Sequence, residues 1–429
     1  TPVAELLPLQ LEAAQERFET RIDQIPLLKN RADSAGVDKI SSTEDLVPLL
    51  FAHNTYKSYA EAWLAEGQWD RMARWLQTVS TYDAGAVSFD GVDGLDEWVA
   101  RLEEAGLFVA CSSGTTGKPA MLGGSEFDLD YSSWANVSSF SWATGVAPAQ
   151  DRRFFGLAPV TQVTRNERSR QALVDAFHDP SLEPYQLPVP AITAGAIMSM
   201  ILLRRKITEG TAVASDVAEF ERLSAQRLAG IEEAFADAIE TLVAGRDGKL
   251  FLSGMWASLH PLAVGVRERG YHAEHYGADN TLFTGGGLKG ANLPPDYREF
   301  VRDTFGIDES RDYSLYSMQE INTPFPRCPA GRYHVAPWVI ALPLDEPGER
   351  LLDTSHGDVE GRAAFVDLSL DGRWGGIISG DKVTTDFGAC RCGRQGPTIG
   401  PDIVRYADLE SGDKITCAGT IDAYVTGAA

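Results

Sequence analysis

The chain has 429 residues, 44% of them hydrophobic and 23% charged, a balance that excludes a disordered protein, a collagen and a coiled coil. It carries 38 Lys and Arg against 61 Asp and Glu, a formal net charge of -23. Nucleic acids and anionic membranes would be repelled by this charge and are not expected partners. The five cysteines are too few for a disulfide scaffold in so long a chain, so a reducing cytoplasm is the predicted compartment.

The first hundred residues are predicted to be helical. Apolar side chains recur at helical spacing at Leu11, Ala14, Phe18 and Ile22, and residues 58–77 carry Ala, Trp and Leu at similar intervals. The first ten residues lack a basic segment followed by an apolar one, so no secretory signal is predicted. We expect a helical N-terminal region over residues 1–105 and a core over residues 106–427.

Short β-rich runs alternate with longer segments from Leu107 onward, which indicates an α/β sheet. The runs are LFVACSS, RFFGLAP, KLFLSGM and TLFTGGG, which begin at residues 107, 153, 249 and 281. Between them, residues 191–203 form an apolar run that is too short to cross a bilayer and is predicted to be a buried helix. Apolar residues from Val217 to Leu242 predict a long amphipathic helix that ends near Gly245 and packs on the sheet.

After Asp312 the pattern consists mainly of strands, DYSLYSM, PWVIALPL, GRAAFVDLSL and GGIISGD. This pattern predicts a final third that is more antiparallel or barrel-like.

Residues 112–119 read SSGTTGKP and directly follow the predicted strand LFVAC. The glycines supply flexible backbone N–H groups, the hydroxyl side chains supply donors, and Lys118 supplies a positive charge, which together suit a loop that encloses a polyphosphate. The loop is not a Walker A motif, because only two residues separate Gly114 from Gly117 and Pro119 follows the lysine. The alternative is an ordinary surface turn. The candidate phosphate-binding residues are Ser112, Ser113, Gly114, Thr115, Thr116, Gly117 and Lys118.

This octet resembles the phosphate-binding signature of the adenylate-forming (ANL) superfamily, which includes acyl-CoA synthetases, luciferases and the adenylation domains of peptide synthetases. Its early position is similar to that in the phenylacetate-CoA ligase branch, and several later segments resemble the LuxE-type acyl-protein synthetases. The matches span residues 108–425. The resemblance implies an α/β fold of the ANL type, with a helical N-terminal part, mixed sheets and a β-rich final third.

Three further segments resemble the nucleotide site of that superfamily. In LFTGGGLK, at residues 282–289, the triplet Gly285, Gly286 and Gly287 resembles the strand end that contacts adenine and the acyl substrate. In YSMQEIN, at residues 316–322, the resemblance implies that Tyr316 stacks on adenine, with Ser317 beside it, and that Glu320 meets Mg²⁺ at the phosphates. In GGIISGD, at residues 375–381, it implies that Asp381 binds the ribose hydroxyls. A plain strand exit, an exposed glutamate and a turn aspartate are the respective alternatives.

A second constellation has the composition of a zinc site. Cys328 and His334 are followed much later by Cys390 and Cys392 in a CxCGR sequence, giving three thiolates and one imidazole. Some proteins similar to phenylacetate-CoA ligase carry a similar pattern, whereas LuxE-type proteins lack most of these ligands. We expect a closed, structural Zn²⁺ site that joins two late loops. Unrelated free thiols and a surface histidine are the alternative.

Residues 413–422 resemble the segment that leads into the hinge of the superfamily, with Thr420 where an arginine is usual. The small C-terminal domain that follows this hinge, with its catalytic lysine, is expected to be absent from the chain. Lys289 is therefore our candidate for the cation that stabilises charge at the α-phosphate. Cys417 is a candidate acyl-accepting thiol, and a buried inert cysteine is the alternative.

The predicted reaction is attack of a carboxylate on the α-phosphate of ATP, with Mg²⁺, to give acyl-AMP and pyrophosphate. The acyl group then passes to a thiol, amine or hydroxyl acceptor. An aromatic acid is the predicted substrate, because of the resemblance and because Trp134, Trp142 and Trp256 lie near the motifs. The alternatives are a LuxE-type fatty-acyl-protein synthetase, a non-catalytic nucleotide-binding subunit and a purely structural zinc protein. The oligomeric state is left open, with a homodimer among the candidates.

Overall fold

The computed structural model describes residues 3–111, 118–158, 162–191, 193–285, 292–355, 357–409 and 413. By their internal contacts the residues divide into two compact units. Unit 1 comprises Thr1–Ser132 and Met318–Ala429, and unit 2 comprises Ser133–Ser317.

The helices concentrate in the first two thirds of the chain. They are α1 (Val3–Arg21), α2 (Pro26–Ala35), α3 (Thr43–Leu46), α4 (Glu61–Ala65), α5 (Trp69–Val79), α6 (Leu95–Glu104), α7 (Glu126–Thr144), α8 (Thr164–Phe177), α9 (Ala194–Thr208), α10 (Ala214–Ala244), α11 (Trp256–Glu268) and α12 (Tyr297–Phe305). Local sequence sets both ends of α2: the helix begins at Pro26, and Gly36, directly after its last residue, has a φ of 67° that is easily adopted only by glycine.

The strands are short in the middle of the chain and longer near its end. They are β1 (Phe51–Ala52), β2 (Phe108–Cys111), β3 (Met121–Gly124), β4 (Arg153–Gly156), β5 (Tyr185–Gln186), β6 (Leu250–Gly254), β7 (Thr281–Gly285), β8 (Asp312–Tyr316), β9 (Phe325–Pro326), β10 (Tyr333–His334), β11 (Val339–Leu344), β12 (Val359–Asp367), β13 (Gly376–Asp386), β14 (Thr398–Ile399) and β15 (Val404–Arg405).

Unit 2 contains a parallel sheet in which β5, β4, β6, β7 and β8 lie side by side in that order. Neighbouring residues of its strands face opposite sides. Leu250 and Leu252 of β6 pack in one core with α10, α11 and α12, whereas Phe251 packs in a second core with α7 and α8. Both faces of the sheet are thus covered by helices, as is usual for parallel strands.

The main sheet of unit 1 has seven strands and is largely antiparallel. It runs β10, β14, β13, β12, β11, and β15 pairs antiparallel with β13. One partner comes from the N-terminal region: β1 pairs parallel with β13, so that Phe51 lies opposite Ile377. The N-terminal helices therefore belong to the same compact unit as the final third.

Most of the predicted elements are present. The four strands predicted from residue 107 onward correspond to β2, β4, β6 and β7, and the long amphipathic helix is α10, which ends at Ala244. The antiparallel character of the final third is confirmed for β11, β12 and β13. DYSLYSM, by contrast, forms β8, which pairs parallel with β7 in unit 2.

Two predictions needed adjustment. The apolar run at residues 191–203 lies largely in α9, and that stretch is only partly buried, because Ala194 and Met198 are buried whereas Ala196 and Ser199 are exposed. The helical N-terminal region also contains the strand β1, whose two residues are too few to form a recognisable sequence pattern. Among the described residues, no helix combines the length and the apolar character needed to span a membrane.

Candidate functional site

The glycine strand and the aromatic motif are neighbours in unit 2. Gly285, the last residue of β7, lies opposite Leu315 of β8, so Gly285 and Tyr316 both end strands at the carboxyl edge of the parallel sheet. This edge is where α/β sheets bind their ligands. Tyr316 is buried and Ser317 is exposed. Gly286, Gly287 and Lys289 lie outside the described residues.

The start and exit of the Ser/Thr/Gly loop lie in unit 1. The loop follows β2, which pairs antiparallel with β3, and residues 112–117, which carry the predicted phosphate donors, lie outside the described residues. Lys118 donates a hydrogen bond to the carbonyl oxygen of Tyr59, and its ammonium lies 4.2 Å from the centroid of that ring. The Tyr59 hydroxyl donates to the carbonyl of Pro119 at 2.9 Å. Tyr59 therefore anchors the exit of the loop.

Glu320 lies on the segment after β8, partly buried in unit 1. Burial raises the pKa of its carboxyl, and the nearby charge of Asp381 raises it further. A backbone N–H bond and the positive charges of Arg373 and Lys57 oppose this rise. Glu320 is thus a carboxylate with one acidic and two basic neighbours.

The backbone of this segment is held by buried polar side chains. The Arg373 guanidinium donates to the carbonyls of Gly123 at 2.6 Å and of Gln319 and Glu320 at 3.3 Å each. The Asp367 carboxylate accepts the backbone N–H of Asn322 at 2.8 Å. These contacts fix the backbone on both sides of the Glu320 side chain.

Asp381 lies on β13, as the predicted strand GGIISGD requires. Its backbone N–H donates to the Ser379 hydroxyl at 3.1 Å, and its carboxylate lies 4.0 Å from the Nε of Arg405 on β15. Of the predicted nucleotide residues, Asp381 lies near enough to Glu320 for its charge to help raise the pKa of the Glu320 carboxyl.

The segment from His53 to Tyr59 was missed by the sequence reasoning. His53 donates its backbone N–H to the carbonyl of Ile378 at 2.9 Å, and its side chain lies 3.4 Å from the carboxylate of Asp413. The Tyr56 ring is buried under Arg373, whose guanidinium lies 5.8 Å from the ring centroid. Burial raises the pKa of Tyr56 to about 12. No motif marks these residues, because common residue types at a helix-rich N-terminus carry no chemical signature.

The Cys and His residues predicted to bind zinc come together in unit 1. The ligand atoms of Cys328, His334, Cys390 and Cys392 all lie within 4.8 Å of one another. The sulfurs of Cys328 and Cys390 are 3.8 Å apart, and the Cys392 sulfur is 3.3 Å from Nε2 of His334. Burial lowers the pKa of His334 to about 4, with Arg394 and Arg332 adding to the effect, so the imidazole is neutral at pH 7.

Two turns of the same geometry present these cysteines. In the first, Cys328 donates its N–H to the carbonyl of Arg332 and accepts from the N–H of Gly331, both at 2.8 Å. In the second, Cys390 donates its N–H to the carbonyl of Arg394 at 3.1 Å and accepts from the N–H of Gly393 at 2.8 Å. The glycine of each turn has a positive φ, 83° and 84°, which explains why glycine precedes the arginine in both sequences.

The tryptophans predicted near the substrate differ in exposure. Trp134 and Trp142 on α7 are 51% and 43% exposed, whereas Trp256 is buried in the core of unit 2 against Tyr297. Trp256 is therefore a packing residue. Cys417 and Thr420 lie outside the described residues.

An open cavity of about 500 Å³ in unit 1 is separate from the motifs. Phe127, Tyr131 and Trp338 line it together with Arg17 and Asp371. None of the predicted site residues lines this cavity, so we assign the predicted reaction to the motif residues and not to the cavity.

No family model matches the chain, and no curated protein sequence matches it. Solved structures do. A 2-hydroxyisobutyryl-CoA ligase in an open conformation, in complex with 2-HIB-AMP and CoA, matches with a TM-score of 0.56 and 15% identity over 96% of this chain and 78% of that chain. The same ligase in its thioesterification state, with 2-HIB-AMP and CoA, gives a TM-score of 0.57 and 16% identity over 95% and 70%.

This chain shares the fold of that ligase. At such low identity the likeness is one of fold alone, and it confirms the predicted α/β fold with mixed sheets and a β-rich final third.

Proposed function

We propose that the protein is an ATP-dependent ligase that activates a carboxylic acid as acyl-AMP, releases pyrophosphate, and passes the acyl group to a thiol, amine or hydroxyl acceptor. Two lines support the proposal. The fold is shared with a ligase whose structures hold 2-HIB-AMP and CoA. The motifs SSGTTGKP, YSMQE and SGD occur in the chain at the positions that the resemblance requires.

The observation that carries the proposal is the position of Glu320 beside Asp381. The two carboxylates come from different parts of the chain, and the charge of Asp381 helps to raise the pKa of Glu320. Carboxylates that repel each other are suited to a divalent cation or to a ligand rich in hydroxyl groups. ATP meets both needs, because its phosphates carry Mg²⁺ and its ribose carries two hydroxyls.

Each residue then has a defined task. Asp381 would accept hydrogen bonds from the ribose hydroxyls. Glu320 would hold Mg²⁺, since this cation prefers one or two carboxylate oxygens, and the bound ion would supply positive charge at the phosphates. Residues 112–117 and Lys118 would neutralise the remaining phosphate charge, and Lys289 would meet the α-phosphate. Neutralisation allows two anions, the acid and ATP, to approach each other in reacting geometry.

We propose an aromatic acid as substrate, on the resemblance to phenylacetate-CoA ligases and on the exposed indoles of Trp134 and Trp142. The panel in the experiment below includes 2-hydroxyisobutyrate, because the ligase of shared fold carries the adenylate 2-HIB-AMP.

The test is pyrophosphate release from ATP and Mg²⁺ by the purified chain with benzoates, phenylacetates, fatty acids and 2-hydroxyisobutyrate, each without an acceptor. We expect release that depends on the acid and is fastest for an aromatic one. Glu320→Gln should lower the rate by about 100-fold, as expected when the ligand of the charge-stabilising Mg²⁺ is lost, whereas Glu349→Gln at an exposed position should leave it unchanged. ATP binding without release with any acid would contradict the proposal and favour a non-catalytic nucleotide-binding subunit.

We also propose that Cys328, His334, Cys390 and Cys392 hold a structural Zn²⁺. With Zn–S bonds of about 2.3 Å, a tetrahedral site places its sulfurs roughly 3.8 Å apart. The separation of the Cys328 and Cys390 sulfurs is 3.8 Å. All four positions of the tetrahedron are taken by side chains, and the ion would supply a cross-link between the two cysteine turns.

Metal analysis tests the zinc proposal. We expect one equivalent of zinc per chain, and Cys390→Ser should lose it and lower the melting temperature by about 5 °C or more. Cys111→Ser is the matched control, because Cys111 is also buried but contacts Met121 instead of the cluster. Equal zinc content in the wild-type protein and Cys390→Ser would contradict the assignment.

A further inference from the structure

The segment from His53 to Tyr59 contacts two described parts of the proposed nucleotide site in unit 1, the strand that carries Asp381 and the exit of the Ser/Thr/Gly loop. At its start, the pairing of β1 with β13 places His53 beside the SGD sequence, and a Cβ added to Gly380 would lie 3.5 Å from the His53 imidazole. At its end, Tyr59 holds Lys118 and Pro119 at the exit of the Ser/Thr/Gly loop.

The middle of the segment lies behind Glu320. The ring of Tyr56 packs under Arg373, whose guanidinium donates to the carbonyl of Glu320 at 3.3 Å. Thr55 and Tyr56 are buried, at 4% and 1% exposure, and they fix the short helical turn in which Lys57 is the last residue.

Lys57 is only partly buried and lies within electrostatic reach of the Glu320 carboxylate. Burial lowers the pKa of Lys57 and the charge of Arg405 lowers it further, while Glu320 raises it. Lys57 thus brings a positive charge near the Glu320 carboxylate, in the same short segment as Tyr56 and Tyr59.

We infer that Lys57 binds the phosphate oxygens of ATP beside Glu320. The inference rests on the proposed function and adds a residue to it. Bound ATP remains anionic after one Mg²⁺ has joined it, and Glu320 and Asp381 add two negative charges to the same region. Besides Lys118, Lys57 brings an ammonium to this region, and an ammonium group suits phosphate oxygens.

The experiment compares two ligands on the full chain. The equilibrium affinities for MgATP and for adenosine, which lacks phosphates, are measured by calorimetry for the wild type, Lys57→Met, Lys57→Arg and the control Lys39→Met. Lys39 is exposed in the loop before α3. Lys57→Met should weaken MgATP binding by about 10- to 100-fold, the value of a lost hydrogen bond between charged groups, and leave adenosine binding unchanged. Lys57→Arg should recover most of the MgATP affinity, and Lys39→Met should match the wild type.

Three results would overturn the inference. Unchanged MgATP affinity in Lys57→Met, alongside acid-dependent pyrophosphate release by the wild type, would remove Lys57 from the site and leave the proposed function intact. Equal losses for MgATP and adenosine would show a structural role for this side chain. Failure of the wild type to bind either ligand would overturn the proposed function together with the inference.

Discussion

The buried guanidinium of Arg373 illustrates how a single side chain shapes the proposed site. It donates to three backbone carbonyls, those of Gly123, Gln319 and Glu320, and it covers the ring of Tyr56. Arginine suits this position because its planar group presents several donors in a fixed arrangement and keeps its charge when buried. A lysine ammonium is too compact to reach carbonyls that diverge in this way.

Arg373→Lys should therefore lower the free energy of unfolding by about 2–4 kcal/mol, because two of the three buried carbonyls lose their donor. It should also raise KM for MgATP more than it lowers kcat, since the Glu320 segment loses its fixed position. Urea denaturation and pyrophosphate kinetics measure the two effects. Arg71→Lys, at an exposed position on α5, serves as control. An unchanged KM with reduced stability would limit Arg373 to a structural role.

The residues that the sequence could identify are those whose type is informative by itself. Three cysteines and a histidine are rare enough for their spacing to suggest a metal, and they do come together. Arg373, Lys57 and Tyr56 are common residues in ordinary contexts, and their proximity arises only when distant segments pair. Their contribution could not have been predicted from the sequence.

At the level of single elements, the start of α7 joins local and distant interactions. Asp128 exchanges hydrogen bonds with Ser125, which is a helix-start pattern readable in the sequence S-x-x-D. The same carboxylate also accepts the N–H groups of Asp371 at 2.7 Å and Gly372 at 2.8 Å, and the side-chain amide of Asn322 at 2.8 Å. It thereby ties the helix start to the turn before β13 and to the Glu320 segment.

Asp128→Asn should destabilise the fold by about 2–4 kcal/mol near neutral pH, because an amide has one acceptor oxygen for four donors. Burial alone would raise the pKa of Asp128, but Arg373 and the N–H groups of Asp371, Ser125 and Gly372 lower it overall. A lowered pKa stabilises the fold above the pKa of the unfolded chain, and this stabilisation disappears as pH falls through the folded-state value. Unfolding measured at several pH values should show the difference from wild type shrinking below about pH 4.

The exposed Asp38 provides the matched substitution, Asp38→Asn, which should change the unfolding free energy by less than about 0.5 kcal/mol. If the difference in unfolding free energy between the wild type and Asp128→Asn did not change with pH, lost packing rather than lost charge would be the cause of the destabilisation.

At the level of the whole molecule, local sequence patterns predicted the individual strands and helices better than they predicted which strands pair. Alternation of strands and helices from residue 107 onward correctly indicated an α/β sheet, and three of the predicted strands, β4, β6 and β7, lie side by side in the parallel sheet of unit 2. DYSLYSM was grouped with the strands that follow it, yet it pairs with β7, which precedes it. β7 and β8 are consecutive strands joined by α12, just as β6 and β7 are joined by α11, and the alternation of residue types does not show at which strand the parallel sheet ends.

The net charge of -23 predicts that the protein does not bind nucleic acid. Fluorescence anisotropy with a labelled 30-base-pair duplex at about 50 mM salt should show no binding up to about 10 μM protein, with polylysine as the positive control. Low salt is chosen because it favours electrostatic association. Binding that weakens as salt is added would contradict this prediction and reveal a basic surface.

The pairing of β1 with β13 also bears on how the chain folds during its synthesis. Phe51 and Ile377 are joined across more than 300 residues, so the N-terminal strand leaves the ribosome long before its partner exists. Until β13 is made, the segment that carries His53 and Lys57 has no sheet to join. The proposed nucleotide site of unit 1 can therefore assemble only late in translation, and a nascent chain interrupted before residue 376 would contain His53 and Lys57 without β13.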